Sequence, residues 1–462
     1  MAQDKIRNIM LMGHSHSGKT QLSEAMVYAG GLIPKPGSVD EGTTISDYND
    51  DEKERKISIN CSMLNTVFND IKVNIIDTPG YGDFIGEVLS GVKVVESAVV
   101  VVNAVGGVEI GTNQAFKIIE EEKLPAVIFI NRIDKEHADF FKCVNALKDK
   151  FGKKLVIITY PVGKESSLKS VSNLITKEGL NDLEGDDKGK AEKFSESLME
   201  NVAETDDKLL EKYLDQGTLG ADEVSGAMKK GILERKIIPV LAGSAALGIG
   251  VKELMNFVAE DMPSPAEAPP REALDSKTNE KISIKGDEDF FSAQVFKTVS
   301  DPYVGQISIF RVFSGSLSSN SSFYNVTKKN SEKISQIFTL QGKEQKQVDR
   351  VYAGDIAACT KLKDTSTGDS LGTEQKPVLF DQLKFPEPAI SFSIKPKSRS
   401  DEDKISGALH KLTVEDIAFK VVRDTQTKEL VVSGMGDLHL NIMIARLKQR
   451  FGVDVDIGTP KI

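Results

Sequence analysis

Cysteine is scarce in this chain, and long apolar runs are missing. The 462 residues include only Cys61, Cys143 and Cys359, which are odd in number and far apart. No disulfide framework or metal-binding spacing can be read from them, so we expect reduced thiols and a cytoplasmic location. The first residues lack the apolar region of a signal peptide. No stretch approaches the roughly 20 apolar residues of a membrane span, so we expect no membrane association.

An excess of positive charge is also missing. The chain has 59 Lys plus Arg against 69 Asp plus Glu, a net charge of −10. This balance argues against binding to free DNA, although a local basic patch would still suit a partner that contains nucleic acid. The length and ordinary composition indicate a globular protein of about three domains.

Short apolar runs alternate with helical patterns over the first half of the chain. They are continuous and rich in β-branched residues, which is typical of buried parallel strands. The runs span residues 9–12, 73–76, 97–102, 126–130 and 237–242. They predict an α/β domain with a doubly wound, mostly parallel sheet, in which ligands bind at the carboxyl ends of the strands.

The first run leads into a phosphate-loop motif, GHSHSGKT, which fits the pattern G-x-x-x-x-G-K-[ST]. Its glycines let the backbone wrap around phosphate oxygens, and the following helix directs its N–H groups and dipole at them. We expect Lys19 to reach the β- and γ-phosphates and the Thr20 hydroxyl to bind Mg²⁺. The residues predicted to contact the nucleotide here are His14, Ser15, His16, Ser17, Gly18, Lys19, Thr20 and Gln21.

A second motif, Asp77-Thr78-Pro79-Gly80, follows the second run. We expect the Asp77 carboxylate to hold Mg²⁺ through water and the Gly80 N–H to meet the γ-phosphate. On its own, such a tetrapeptide is as often a plain turn.

A third motif, Asn131-Arg132-Ile133-Asp134, predicts guanine recognition. An Asp134 carboxylate that accepts two N–H bonds separates guanine from adenine, because the wrong base leaves these groups unpaired. Ser244 and Ala245, after the last run, are expected to present N–H groups to the guanine carbonyl. Alone, the tripeptide Gly243-Ser244-Ala245 would usually be a turn.

The polar segment 40–60 lies between the first two motifs and is called the switch segment below. By itself it reads as a solvated loop, but its position predicts a switch that is ordered by the γ-phosphate and Mg²⁺, with Ser58 as a hydroxyl ligand. The predicted metal ligands are thus Thr20, Ser58 and Asp77. Residues 160–236 form a charged insertion with a helical run at 194–214, and we expect most of its charges to be solvated.

Proline-rich sequence around residues 262–270 marks the end of the first domain. We predict this domain over residues 1–262, a linker at 263–287, a β-barrel domain at 288–385 and a ferredoxin-like α+β domain at 386–462, whose element order reads βαββαβ. In the last domain, His439 and Asp437 lie beside two glycines. They form either an active site or, more commonly, a helix cap and a packed histidine.

These motifs resemble those of elongation factor G, a family of ribosome-dependent translational GTPases. The resemblance runs from residue 7 to the end and is carried by GHSHSGKT, DTPGYGDFIGEV, FKTVSDPYVGQISIFRVFSG, YAGDIAACTKLKDTSTGDSL and SGMGDLHLNI. It implies a G domain with an insertion, a β-barrel domain and a third α/β domain. It also implies GTP and GDP as ligands with Mg²⁺, the ribosome as the partner of a monomer, and Lys19, Gly80 and Tyr81 at the catalytic positions.

The chain departs from the family pattern at several positions. His16 replaces Asp in the phosphate loop, Ser58 replaces Thr in the R-G-I-T-I switch, and Arg132 replaces Lys in N-K-x-D. Tyr81 replaces the His that positions the attacking water. A phenol donates and accepts a hydrogen bond but is bulkier, and we expect it to support hydrolysis. The sequence also stops where full-length members continue with two more domains, so we expect a truncated protein that binds nucleotide without translocating.

The sequence leaves more than one function open. The first is a GTPase that the ribosome stimulates, driving conformational change in elongation. The second is a guanine-nucleotide-gated, ribosome-binding switch with little or no hydrolysis. A weaker third is a paralogue for ribosome recycling or ribosome protection.

Overall fold

The computed structural model describes residues 2–301 and 303–461, so the outermost predicted domain limits, residues 1 and 462, lie outside it. The chain forms two compact units. The first contains the chain up to Gly80, Val95–Pro269 and the hairpin tip Gln341–Lys343, and the second contains Tyr81–Val94, Pro270–Leu340 and the chain from Glu344 onward. This division does not test the internal limits near residues 262, 287 and 385, which stay predictions.

The described residues of the first unit form nine strands. They are β1 (Ile6–Met12), β2 (Ser62–Phe68), β3 (Ile71–Asp77), β4 (Ser97–Asn103), β5 (Ala126–Asn131), β6 (Leu155–Ile157), β7 (Thr159–Val162), β8 (Ser170–Asn173) and β9 (Ile238–Ala242). The apolar runs predicted β1, β3, β4, β5 and β9. Seven of the nine strands form one sheet in the order β2-β3-β1-β4-β5-β9-β6. All neighbours in this sheet are parallel except β2, which pairs antiparallel with β3 at the edge. The predicted doubly wound, mostly parallel sheet is therefore confirmed.

Helices occupy the connections between these strands. They are α1 (Lys19–Ala29), α2 (Asp50–Arg55), α3 (Ile85–Val92), α4 (Ile110–Glu121), α5 (Phe140–Phe151), α6 (Asp186–Ala203), α7 (Asp207–Gln216), α8 (Ala221–Leu233) and α9 (Val251–Asp261), of which α3 belongs to the second unit. Because helices pack against it, the central sheet has fully buried strands such as β4, where Ala98 through Val102 are each 0% exposed. This burial explains why the strands read as continuous apolar runs.

The insertion consists of the β7–β8 hairpin followed by α6, α7 and α8. The single helical run predicted at 194–214 is wrong in one respect, because α6 ends at Ala203 and α7 begins at Asp207. The Asp206 side chain accepts hydrogen bonds from the backbone N–H groups of Lys208 and Leu209, which caps α7 and starts a new helix. In the sequence, Asp206 looks like one of the solvated surface charges, but in the structure it is the N-cap of α7.

After Tyr81–Val94, the second unit continues with a β-rich region, as predicted. Its strands are β10 (Arg271–Asp275), β11 (Lys281–Ile284), β12 (Ser292–Asp301), β13 (Gly305–Ser314), β14 (Ser316–Ser318), β15 (Ser321–Asn325), β16 (Asn330–Ile334), β17 (Ile337–Gln341), β18 (Glu344–Val348), β19 (Arg350–Tyr352), β20 (Ile356–Thr360), β21 (Ser370–Gly372) and β22 (Val378–Leu379). The main sheet has eight strands in the order β16-β15-β21-β12-β13-β20-β17-β18. Alternating residues such as Val295, Phe310 and Ala357 form its core.

The last region contains β23 (Ile390–Pro396), α10 (Arg399–Glu415), β24 (Lys420–Arg423), β25 (Leu430–Gly434), α11 (Asp437–Phe451) and β26 (Val455–Gly458). The antiparallel sheet order β24-β25-β23-β26 is that of the ferredoxin-like split unit, which agrees with the predicted element order. His439 is only 1% exposed. Its Nε2 lies 2.9 Å from Asp416 Oδ2 and its Nδ1 accepts from the Met435 N–H, so it is a packed histidine.

Among residues 2–301 and 303–461, no helix combines the length and apolar character required to cross a membrane.

The cap at Asp206 yields a testable prediction about the insertion. Helix α7 has no fully buried residue, so we expect its N-terminal cap to contribute a large share of its stability. We expect Asp206→Ala to destabilise α7 by about 1 kcal/mol and to speed hydrogen exchange of its backbone amides. Asp207→Ala, which leaves the cap in place, is the control. Unchanged exchange in Asp206→Ala would contradict the assignment.

Candidate functional site

The predicted motifs meet at one edge of the central sheet in the first unit. The phosphate loop follows β1, Asp77 ends β3, Asn131 ends β5, and Ser244 follows β9. These strands are parallel, so their carboxyl ends lie at the same edge. The structure therefore brings together the three motifs that lie far apart in the sequence.

Gly18 forms the start of helix α1. Its φ of 92° lies in the left-handed region, which favours glycine. A Cβ at this position would lie 2.3 Å from Asn131 Nδ2. Glycine is thus required both by backbone conformation and by the close approach of the guanine-recognition motif.

Lys19 is buried inside the phosphate loop. Its Nζ donates to the carbonyl oxygens of Gly13 at 3.1 Å and His14 at 2.7 Å. Burial lowers the pKa of Lys19 to about 8, and the nearby carboxylates of Asp77 and Asp47 oppose this shift. The ammonium group closes the loop on itself and has no direct carboxylate partner within hydrogen-bonding distance among the described residues, which suits a phosphate-binding cation.

The other loop residues make different contacts. The His14 ring accepts from the Gly111 N–H and lies 3.6 Å from Glu109 Oε1, so the ring is directed at the start of α4. His16 adopts a left-handed conformation with a φ of 59°. The Ser17 hydroxyl is buried without a hydrogen-bond partner. These positions are compatible with phosphate contacts through the backbone, while the predicted contacts themselves stay a proposal.

Oxygen atoms gather beside Lys19 where the sequence predicted a metal. Thr20 Oγ1 lies 3.0 Å from Ser58 Oγ. Asp77 is fully buried, its Oδ2 accepts from Ser46 Oγ at 2.6 Å, and its Oδ1 has no hydrogen-bond partner. Burial raises the pKa of Asp77, while hydrogen bonds from Ser46 and Thr20 and the charge of Lys19 oppose the rise.

Asp47 adds a second buried carboxyl group to this region. Its Oδ1 is also buried without a hydrogen-bond partner. Burial, Glu52 and Asp77 raise the pKa of Asp47 to about 8, and the Ser58 hydroxyl and Lys19 act in the opposite direction. A cation bound nearby would favour the ionised form of both carboxyl groups.

This donor set fits Mg²⁺, which prefers oxygen ligands and keeps several waters. In the part of the chain that the structure describes, no group of three or more His, Cys, Asp or Glu side chains is arranged to hold a metal. An ion bound here would therefore depend on the hydroxyls of Thr20 and Ser58, on Asp77, and on water and phosphate. The protein supplies an incomplete shell, which is typical of magnesium sites that are shared with a phosphate ligand.

The switch segment is more ordered than a solvated loop. It contains α2, whose start is capped by reciprocal contacts between Asn49 and Glu52. Glu52 is 0% exposed, and its Oε1 accepts from the backbone N–H groups of Ile59 and Asn60. The solvated-loop interpretation is therefore wrong for this structure, because several acidic residues of the segment are buried and bonded to the backbone.

Asn131 connects the loops on the base side. It is 2% exposed, its Nδ2 donates to the Ser17 carbonyl at 2.9 Å, and its Oδ1 accepts from the Ala245 N–H at 2.9 Å. The Ser244 N–H donates to the Ile249 carbonyl. The prediction that the N–H groups of Ser244 and Ala245 face a guanine carbonyl is therefore not met here, because both are already bonded within the protein.

Asp134 retains an available acceptor. Its side chain is 8% exposed and its Oδ2 lies 3.3 Å from Lys135 Nζ. The Oδ1 atom is buried and has no hydrogen-bond partner. Arg132, two residues earlier, is half-buried in a left-handed conformation with a φ of 65°. A buried carboxylate oxygen without a donor is costly unless a ligand supplies one.

Tyr81 follows Gly80 directly in the chain but belongs to the second unit. Its backbone is extended, its carbonyl accepts from the Phe84 N–H, and its side chain is half-buried. Its proposed catalytic role therefore rests on its sequence position.

Three polar residues of this site are not among those that the sequence motifs predict. Ser46 and Asp47 lie in the switch segment, and Glu24 lies in α1, where it is 1% exposed. Glu24 gives no local signal of its burial, because an acidic residue in a helix is usually solvated. Burial of Ser46 and Asp47 depends on tertiary packing and has no local signal.

The fold and the motifs at the sheet edge are those of a P-loop nucleotide-binding protein. Comparison with known families is more specific. The model of the elongation factor Tu GTP binding domain matches residues 4–264, elongation factor G domain 2 matches 290–374, and elongation factor G domain III matches 385–459. The chain therefore belongs to the elongation factor family of translational GTPases and is of the elongation factor G type.

A solved structure supports the same arrangement of elements. The chain is similar to a protein from Thermus thermophilus whose crystal structure superposes with a TM-score of 0.87 at 28% sequence identity. The match covers 99% of this chain and 68% of that chain.

Gly80 provides a direct test of the γ-phosphate side. A Cβ at this position would lie 2.6 Å from the Ser15 backbone nitrogen and 2.5 Å from Lys19 Nζ. We expect Gly80→Ala to separate the two motifs and weaken binding of a non-hydrolysable GTP analogue by about tenfold, with a smaller loss for GDP. Fluorescence titration measures both affinities.

The control for this substitution is Gly226→Ala. Gly226 lies in α8, and a Cβ there meets no atom within 4 Å. Wild-type affinity of Gly80→Ala for the GTP analogue would contradict the assigned close approach.

Proposed function

We propose that this protein binds GTP with Mg²⁺ and hydrolyses it on the ribosome, as a cytoplasmic translation factor in elongation. The observation that carries the proposal is the convergence of Lys19, Asp77 and Asp134 on one sheet edge. Lys19 has a buried ammonium group suited to a phosphate. Asp77 and Asp134 each have a buried carboxylate oxygen without a hydrogen-bond partner, suited to a hydrated metal ion and to a base N–H group respectively. Membership in the translational GTPase family supports the same ligand.

Each part of the ligand has a proposed partner. The phosphate loop from His14 to Gln21 holds the phosphates, with Lys19 as the principal charge. Thr20, Ser58 and Asp77 hold Mg²⁺, which neutralises charge on the phosphates when it is bound. Asn131, Arg132 and Asp134 enclose the base, and the Ala245 N–H holds the Asn131 side chain.

The catalytic assignment is Gly80, Lys19 and Tyr81. The Gly80 N–H and the Lys19 ammonium stabilise charge on the γ-phosphate, and the Tyr81 phenol orients the attacking water. A hydroxyl can hold a water molecule by one donated and one accepted hydrogen bond. We propose that this contact replaces the one that a histidine makes in the family.

A second candidate function is a guanine-nucleotide-gated switch that binds the ribosome and turns over GTP slowly or not at all. This function is favoured by Tyr81, which stands where the family has the histidine that positions the attacking water. A role in recycling or ribosome protection would use the same site. The partner in all three cases is the ribosome, and we propose that the free protein is a monomer.

Single-turnover hydrolysis separates the first two functions. We expect phosphate release from GTP to rise above background when ribosomes are added, because binding there completes the positioning of water. Absence of release above background with and without ribosomes would contradict the GTPase proposal and leave the switch.

Tyr81→His tests whether the phenol limits the rate. We expect at least about a tenfold faster single-turnover rate on the ribosome, since imidazole positions water with less bulk. Nucleotide affinity should stay at the wild-type value and serves as the control. An unchanged or slower rate would show that Tyr81 is not limiting.

A further inference from the structure

Glu24 is a buried carboxylate that the proposed chemistry does not use. It lies on α1, one turn after Thr20, and is 1% exposed. Its Oε1 accepts from the Ile45 N–H at 2.5 Å and its Oε2 accepts from the Gly37 N–H at 2.8 Å. Both donors belong to the chain that leads into or forms the switch segment, so one side chain joins this segment to the phosphate-binding helix.

The contact is reinforced from the same helix. Gln21, three residues before Glu24 and therefore on the same face of α1, donates from its Nε2 to the Gly37 carbonyl at 3.0 Å. Gly37 is thus held by both its N–H and its carbonyl. Burial raises the pKa of Glu24, while the N–H bonds from Ile45 and Gly37 act to lower it.

The held segment leads directly to the metal side of the site. Ile45 is followed by Ser46, whose hydroxyl donates to Asp77 Oδ2 at 2.6 Å. This bond leaves Asp77 Oδ1 as the oxygen without a partner. Glu24 therefore holds the residue that directly precedes the serine bonded to Asp77.

We propose that Glu24 is a positioning residue that anchors the switch segment to the phosphate-binding helix and so makes the site selective for GTP over GDP. The inference rests on the proposed function. A carboxylate is suited to the role because it accepts at both oxygens, whereas an amide would place an NH₂ group against a backbone N–H.

The test compares Glu24→Gln with wild type in the full chain. Affinities are measured for the β,γ-imido analogue of GTP and for GDP, both with MgCl₂. We expect Glu24→Gln to lose about tenfold or more in affinity for the analogue and less than about threefold for GDP, because only the γ-phosphate engages the switch segment.

Limited trypsin digestion gives a second readout that a general loss of stability would not move in this way. Arg55 and Lys56 are exposed at the end of α2. We expect the GTP analogue to protect these sites in the wild-type protein and to fail to do so in Glu24→Gln. The matched control is Ser23→Ala, because Ser23 is equally buried but bonds only to the Thr20 carbonyl of its own helix.

The outcomes are distinct. A wild-type ratio of affinities with normal protection, or equal losses for both nucleotides, would overturn the anchoring role. If Glu24→Gln does not fold, Gly37→Ala decides, since its Cβ would lie 2.4 Å from the Thr43 carbonyl and disturb the contact from the switch side. The same selective loss supports the proposal, and a wild-type ratio overturns it. Failure of the wild-type protein to bind the analogue would instead overturn the proposed function and this inference with it.

Discussion

The buried carboxylate of Asp77 is the constraint on which the arrangement of the site depends. It ends a central strand, is 0% exposed, and has one oxygen bonded to Ser46 and one without a partner. Burying an uncompensated charge costs several kcal/mol in real proteins. Lys19 and the hydroxyl of Thr20 offset part of this cost, while burial raises the pKa of Asp77. A cation bound beside Asp77 would offset the remaining cost of burying its negative charge.

Helix α1 carries both the groups beside Asp77 and the groups that hold the switch segment. Lys19 and Thr20 stand at its first turn, and Gln21 and Glu24 face the chain that enters the switch segment. A helix is rigid over this length, so the phosphate side and the switch side are held in a fixed relation. The strained Lys56, left-handed at the end of α2 with a φ of 55° and a ψ of 38°, lies in the segment that this helix holds. The left-handed conformation costs a non-glycine residue about 1 kcal/mol or more. We therefore expect the switch segment to change conformation most readily at the end of α2.

Much of the fold could be predicted from the sequence because its signals are local. The continuous apolar runs identified β1, β3, β4, β5 and β9, and the motifs placed the binding loops after them. The ferredoxin-like region followed from its element order alone. The helix break at Asp206 was missed, since a capping aspartate looks like any other surface charge.

The remaining errors concern contacts made across the fold. Glu24 and Asp47 were not recognised because an acidic residue gives no local sign that it will be buried. The N–H groups of Ser244 and Ala245 were expected to face the base, but Ile249 and Asn131 accept them. Which donors stay available at a site depends on tertiary hydrogen bonds, and a motif does not encode these.

Calorimetric titration with GTP and with ATP, each in the presence of Mg²⁺, tests the central claim most directly. The unpartnered Oδ1 of Asp134 should be satisfied by guanine and left unpaired by adenine. We expect GTP to bind at least about 100-fold more tightly than ATP. Equal affinities for the two nucleotides would contradict this expectation.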